Sequence, residues 1–278
     1  MLKTKNITSD IYSDELYSIF ENNGWIDRPN VQEVYNNFMR RLSQMKNEGD
    51  IKLILDLTKR YLWLNSTQYL DHLISAFDLW QKDHKNSTRI IFVPVLAKET
   101  DEIKSGHFML YFLYDSIVTK LKHAKKKVEL IADYEKLRSL NLRKANIVMI
   151  DDYIGSGQSV TDAIMRVRSK LRYDPKDISV ISMVAQEEGV DKLCAEGIKV
   201  FSSIICGKGI TDYYPLNEVD EKKRQMVKIS KDYINNKEYY LGYGNSEALV
   251  TMNRTPNNTF PFYWKDSKTS FAPFSRVK

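Results

Sequence analysis

Two adjacent carboxylates, Asp151 and Asp152, stand just before the run Gly155-Ser156-Gly157-Gln158-Ser159. Those residue types at that spacing can hold a sugar phosphate. Glycines at 155 and 157 permit the positive φ angles that turn successive backbone N–H groups toward one point. Ser156 and Ser159 add hydroxyl donors. A helix opening near Ser159 would contribute unpaired N–H groups and the positive end of its dipole. Together these make a cradle for a phosphate dianion. The carboxylates cannot share that role, because like charges repel. They suit the hydroxyls of a ribose, or a magnesium ion bound with it. A phosphate cradle beside a diol-binding acid pair describes a ribose 5-phosphate site. The plain alternative is a strand–loop–helix corner in which two acids fall by chance.

Such a site needs a strand to present the acids and a helix to receive the loop. Residues 147–150 (Ile-Val-Met-Ile) supply the first, ending where ligands bind in open α/β sheets. Similar short apolar runs occur at 89–95, 128–132, 178–184 and 199–206, with helical patterns at 106–121, 160–171 and 190–196 between them. Strands alternating with helices predict a parallel sheet covered on both faces. Pro94 lies in the first run and fits a central strand only at its end. Residues 1–86 carry three apolar stripes at helical spacing, the third from Tyr69 to Phe77 with Ser66 or Thr67 as its N-cap, and predict a helical module. The expected division is therefore a module of 1–86 and a nucleotide domain of 87–278, the latter comprising a core of 88–206 and an extension of 207–278. That extension holds a charged helix and an aromatic, turn-rich tail too apolar to hang free.

Composition narrows the function classes. Of 278 residues, 42% are hydrophobic and 28% charged, as in a globular protein. The longest unbroken apolar stretch, 90–97, is too short to cross a bilayer, and no secretory signal opens the chain, so a cytoplasmic protein with no membrane partner is expected. Cys194 and Cys206 lack paired zinc spacing and read as small buried hydrophobes, while the four histidines are scattered. No structural metal is expected. A net charge of +6 points weakly to anionic partners. Two basic clusters, Lys120–Lys127 and Arg166/Arg168/Lys170/Arg172, read either as solvated helix ends or as nucleic-acid contacts. The four tryptophans fit core packing.

The pattern of apolar strand, Asp-Asp, three residues, Ser-Gly-x-Ser resembles the phosphoribosyl pyrophosphate (PRPP) motif of type I phosphoribosyltransferases. The strand order expected around it, over about 88–206, agrees with that family's five-stranded core. The resemblance implies an α/β fold with a phosphoribosyltransferase-like parallel sheet, an N-terminal helical module and a C-terminal hood or tail. It implies that Asp151 and Asp152 hold the ribose hydroxyls and act in catalysis, that Gly155, Ser156, Gly157, Gln158 and Ser159 bind the 5-phosphate, and that magnesium accompanies PRPP near the acid pair. A second loop, which binds pyrophosphate in the family, corresponds to 97–106, with Lys98, Lys104, Ser105 and Gly106 as its candidate residues; a solvated loop is the equal alternative. Purine-salvage members commonly place an acid where Gly155 stands, which argues against a hypoxanthine–guanine enzyme. The motif DDYIGSG, the helical module and the long tail look more like the divergent phosphoribosyltransferase-like domains of bacterial conflict systems, including retron-associated anti-phage effectors. Implied partners are PRPP or a nucleotide, other defence-system proteins and nucleic acid. The competing function is a non-catalytic nucleotide-sensing or scaffold module. In the tail, Asn257 and Asn258 could read a base edge, but a turn packed on aromatic core is the favoured reading.

Overall fold

The computed structural model describes residues 10–98, 104–171 and 177–276. In chain order its elements are α1 (Asp10–Asn22), α2 (Val31–Gln44), α3 (Glu48–Lys59), β1 (Leu62–Trp63), α4 (Ser66–Asp83), β2 (Arg89–Pro94), α5 (Ser105–Leu113), α6 (Thr119–His123), β3 (Lys127–Leu130), β4 (Asn146–Ile154), α7 (Gln158–Lys170), β5 (Asp177–Gln186), α8 (Glu187–Ala195), β6 (Lys199–Cys206), α9 (Leu216–Ser230), β7 (Val250–Thr251) and α10 (Pro261–Trp264). They form two compact units, one of Asn65–Cys206 and one joining Met1–Leu64 to Gly207–Lys278.

The first unit holds a five-stranded parallel sheet in the order β3-β2-β4-β5-β6. The apolar runs form its strands because β2, β4 and β5 are flanked on both sides and buried on both faces. The edge strands β3 and β6 are more polar and more open. Pro94 ends central β2 opposite Ile150, where its missing N–H costs least. One face packs α7, α8 and the turn at Tyr134–Ser139 over Ile91, Val93, Ile147, Met149 and Val180. On the other, Phe77 of α4 meets Phe92, and the Trp80 indole N–H donates to Ser179 Oγ at 2.8 Å. The chain leaves β2 for the β3 edge and returns to β4 on the other side. The sheet thus reverses direction between β2 and β4, and its carboxyl edge there is the topological switch at which open α/β sheets bind ligands.

The division of the chain differs from the expected boundary at 86. Helix α4 buries Tyr69, Leu73, Ala76, Phe77 and Trp80 in the sheet unit, so that unit begins near Asn65. Asn65, rather than Ser66 or Thr67, is its N-cap, and its N–H donates to Gln68 Oε1 at 3.3 Å. The 207–278 extension leaves the sheet unit and folds with α1–α3. Two parallel registers, Leu62↔Val250 and Trp63↔Thr251, tie it there. Aromatic rings fill the space between: Tyr61 stacks on Phe274 at 5.0 Å, and Phe38 meets Tyr263 at 6.0 Å. Arg41, wholly buried, donates to the carbonyls of Phe262, Lys265, Ser270 and Phe271 and lies 4.2 Å from the Tyr233 ring centroid. Burial lowers its pKa to about 10, against the smaller raising effects of Tyr233 and Asp266. Tail aromatics are core here, and Asn258 is a buried turn residue whose amide donates to Tyr243 O and Ser246 Oγ.

All four tryptophans are buried. Cys194, read as buried, is exposed, because α8 turns Gly189 and Leu193 inward and leaves Cys194 outside; Cys206 is half-buried. No helix among the described residues is long and apolar enough to cross a membrane.

Candidate functional site

Strand β4 runs through the acid pair instead of stopping before it, with Asp151 opposite Ser182 and Tyr153 opposite Val184. Helix α5 brings Ser105 to them across 46 residues of sequence, and its hydroxyl donates to Asp151 Oδ1 at 2.5 Å. The Asp152 N–H donates to the same oxygen at 2.9 Å. Each acid is partly exposed. Burial, and then the charge of Asp152, pushes Asp151 well above the usual carboxylate range; burial raises Asp152 as well. The pair therefore resists its second ionisation. A cation placed there would relieve that resistance.

The loop after β4 enters α7 through Gly157, whose φ of 77° is left-handed. Gly155 does not share that conformation, correcting the expectation that both glycines need positive φ. The need for glycine is transferred to a partner. A Cβ on Gly189, in the first turn of α8, would stand 2.0 Å from the Gly155 carbonyl oxygen and 3.2 Å from the Gly157 nitrogen. Gly189 was not singled out from the sequence. Its signal was a glycine just inside a helix that follows a strand, a position where it costs helix stability.

Gly157, Gln158, Ser159 and Val160 form the opening turn, and their N–H groups meet no acceptor among the described residues. Ser156 is half-buried and Ser159 exposed. The Gln158 side chain is engaged elsewhere: it donates to Asp162 Oδ1 and accepts from Lys192 Nζ, each at 2.8 Å. Gln158 can thus offer an anion its backbone N–H alone.

The second loop starts at the end of β2 and is fastened from a distance. The Leu96 N–H donates to the Tyr134 hydroxyl at 3.0 Å, and Arg166 donates to Leu96 O at 2.8 Å. Burial raises Tyr134 to about 12, so it stays a neutral phenol. Lys98 is exposed, Lys104 half-buried with its N–H donating to His107 Nδ1 at 3.2 Å, and residues 99–103 lie outside the described residues. Gly106 is wedged where a Cβ would stand 2.9 Å from Ile150 O, Pro94 Cβ and Val95 N, which seats α5 on the ends of β2 and β4. Ser105 and the acid pair are thus brought together. Of the second basic cluster, Arg166 is spent on Leu96 and Lys170 on Glu135, while Arg172 lies outside the described residues.

Among the described residues no group of three or more His, Cys, Asp or Glu side chains could hold a metal ion. Two carboxylates and a hydroxyl are hard oxygen donors that fit magnesium, with the remaining positions left to ligand oxygens and water.

Several solved structures match parts of the chain. Orotate phosphoribosyltransferase from Aeropyrum pernix is 18% identical over 55% of this chain and 72% of its own, with a TM-score of 0.32. Hypoxanthine-guanine phosphoribosyltransferase from Schistosoma mansoni, solved with IMP, is 16% identical over 50% and 62%, with a TM-score of 0.34. A hypothetical protein from Neisseria gonorrhoeae with bound ppGpp is 13% identical over 59% and 94%, with a TM-score of 0.37. No curated relative matches. The family model PRTase-CE matches residues 8–276, nearly the whole length. The chain belongs to the PRTase-CE family, a family of phosphoribosyltransferase type.

Proposed function

We propose that the protein is a pentosyltransferase that binds PRPP, or a nucleotide, through Asp151, Asp152 and the loop of residues 155–159. The observation that supports this most is the place of the acid pair. It lies at the carboxyl end of β4, at the switch point between β2 and β4, with Ser105, the first residue of α5, bonded to Asp151. The opening N–H groups of α7 take the 5-phosphate, and the two acids take the ribose 2′- and 3′-hydroxyls. Asp151 and Asp152 would hold magnesium beside those hydroxyls, where the ion supplies charge neutralisation for pyrophosphate. As the C1′–O bond breaks, the ring gains positive charge. The acid pair, strained by its own second ionisation, is then more favourably placed than in the ground state. Lys98 and Lys104 would face the departing pyrophosphate. A role in bacterial anti-phage defence is proposed from the resemblance of the motif DDYIGSG, the N-terminal helical module and the long tail to conflict-system domains.

Calorimetric titration with PRPP and magnesium tests the reading. Binding is expected for the unmutated chain and none for Asp151→Asn/Asp152→Asn; no binding by the unmutated chain removes it. Ser105→Ala sharpens the test. The hydroxyl favours the ionised Asp151, so its loss moves ionisation to higher pH. Affinity for magnesium–PRPP should fall about tenfold at neutral pH, as for a lost hydrogen bond to a charged group, and recover partly as pH rises. A pH profile identical to the parent's would remove Ser105 from the site.

A further inference from the structure

Past Ser105, helix α5 and the turn after it carry three exposed aromatic rings, the first packed edge-on against half-buried Phe112 at 4.8 Å. Phe108, Tyr111 and Tyr114 recur at three-residue spacing and are 40%, 81% and 60% exposed. The same segment buries Gly106, Met109, Leu110 and Leu113 on its inner side. Single exposed rings are ordinary, but three within seven residues make a patch. A π-turn over Tyr114–Val118 widens the helix under the last ring, and such turns recur at functional sites.

Positive charge adjoins the patch. Lys120, Lys122 and Lys125 are exposed and make no ion pair among the described residues. Lys127 reaches Glu129 only at 3.7 Å, and that carboxylate is already taken by Arg89. The Lys122 ammonium lies 5.7 Å from the Tyr114 ring centroid, which joins the last ring to the nearest of these charges.

We propose that this surface binds single-stranded nucleic acid, with bases stacked on Phe108, Tyr111 and Tyr114 and phosphates facing Lys120, Lys122 and Lys125. Aromatic platforms interleaved with cations are what unpaired strands require, since every base has a stacking face and every linkage a negative charge. Charge decides against a second copy of the chain, because a two-fold contact would press this basic surface on itself. Neither stacking nor ammonium contact reads the 2′-hydroxyl, so RNA and DNA should bind alike. The proposal does not depend on the ribose-phosphate reading of the acid pair.

The test is fluorescence anisotropy on the full chain with labelled twenty-nucleotide oligothymidylate and oligouridylate, alongside a duplex of the same length. Both single strands are expected to bind, and the duplex more weakly. Tyr111→Ala/Tyr114→Ala should lose at least about tenfold in affinity, given roughly 1–3 kcal/mol for each stacked base. Lys120→Ala/Lys122→Ala should make the log–log salt dependence shallower by about 1.4, from about 0.7 for each lost phosphate contact. Both pairs are exposed and should melt with the parent, and Asp151→Asn/Asp152→Asn should bind the strands unchanged. Parental affinity in the tyrosine variant would overturn the proposal. So would failure of the parent to bind at low salt, a parental dimer split by the tyrosine changes in light scattering, or tyrosine-dependent binding to anionic vesicles in place of oligonucleotides.

Discussion

Asp151→Asn is expected to melt at a higher temperature than the parent at neutral pH, while losing magnesium-dependent affinity for PRPP. Burial and the neighbouring Asp152 hold the Asp151 carboxyl well above its ordinary value of 3.8. A carboxyl raised on folding contributes stability that is complete below its unfolded value and is lost as pH rises through its folded value. The parent should therefore weaken from about pH 4 upward, and the asparagine variant less steeply, because burial still raises Asp152. Asparagine keeps the oxygen that accepts from Ser105 and from the Asp152 N–H, so the change removes charge and little else. A gain on the order of 0.5–2 kcal/mol, or a few degrees in Tm, is typical when a functional site gives up strain. Thermal melts of both proteins from pH 4 to pH 8 decide it. A variant less stable than the parent at every pH would mean that the charged pair stabilises the fold, and the electrostatic account of catalysis would fall with it.

What could be read from the sequence was local. The strands were legible because short β-branched runs lie between helical stripes, and burial on both faces leaves such runs few other uses. The acid pair and the loop were legible because they are contiguous, within nine residues of one another. Everything that depended on distant partners was hidden. Helix α4 carries the same kind of apolar stripe as α2 and α3, and partners elsewhere in the chain, Phe92 for Phe77 and Ser179 for Trp80, show that it belongs to the sheet. The tail was rightly expected to pack, yet its partners at Leu62 and Trp63 lie nearly two hundred residues away. Arg166 looked like part of a basic surface because sequence shows its charge and not the Leu96 carbonyl that takes it. Gly155 was credited with a positive φ that the backbone does not use, while the glycine that the loop does need, Gly189, lies on another helix.

Gly189→Ala is expected to cost more, and to cost both stability and ligand binding. The added methyl would sit 2.0 Å from the Gly155 oxygen and 3.1 Å from its carbon, against backbone that cannot rotate aside. Either α8 lifts from the loop or the loop shifts. The first exposes Leu193, which packs under Gly157 and is fully buried. The second displaces the N–H groups of Gly157 to Val160, which are proposed to take the 5-phosphate. Overpacking of this kind costs about 1–3 kcal/mol, and a displacement of about 1 Å in a positioned group costs on the order of a hundredfold in the step it serves. Gly197→Ala is the control. It ends the same helix with φ of 77° and has nothing within 4 Å of an added Cβ, so it should lose about 1 kcal/mol from backbone strain. Its affinity for PRPP should be unchanged. Parental Tm and affinity in Gly189→Ala would show that the loop accommodates a side chain there, and that the close approach of α8 does not shape the phosphate cradle.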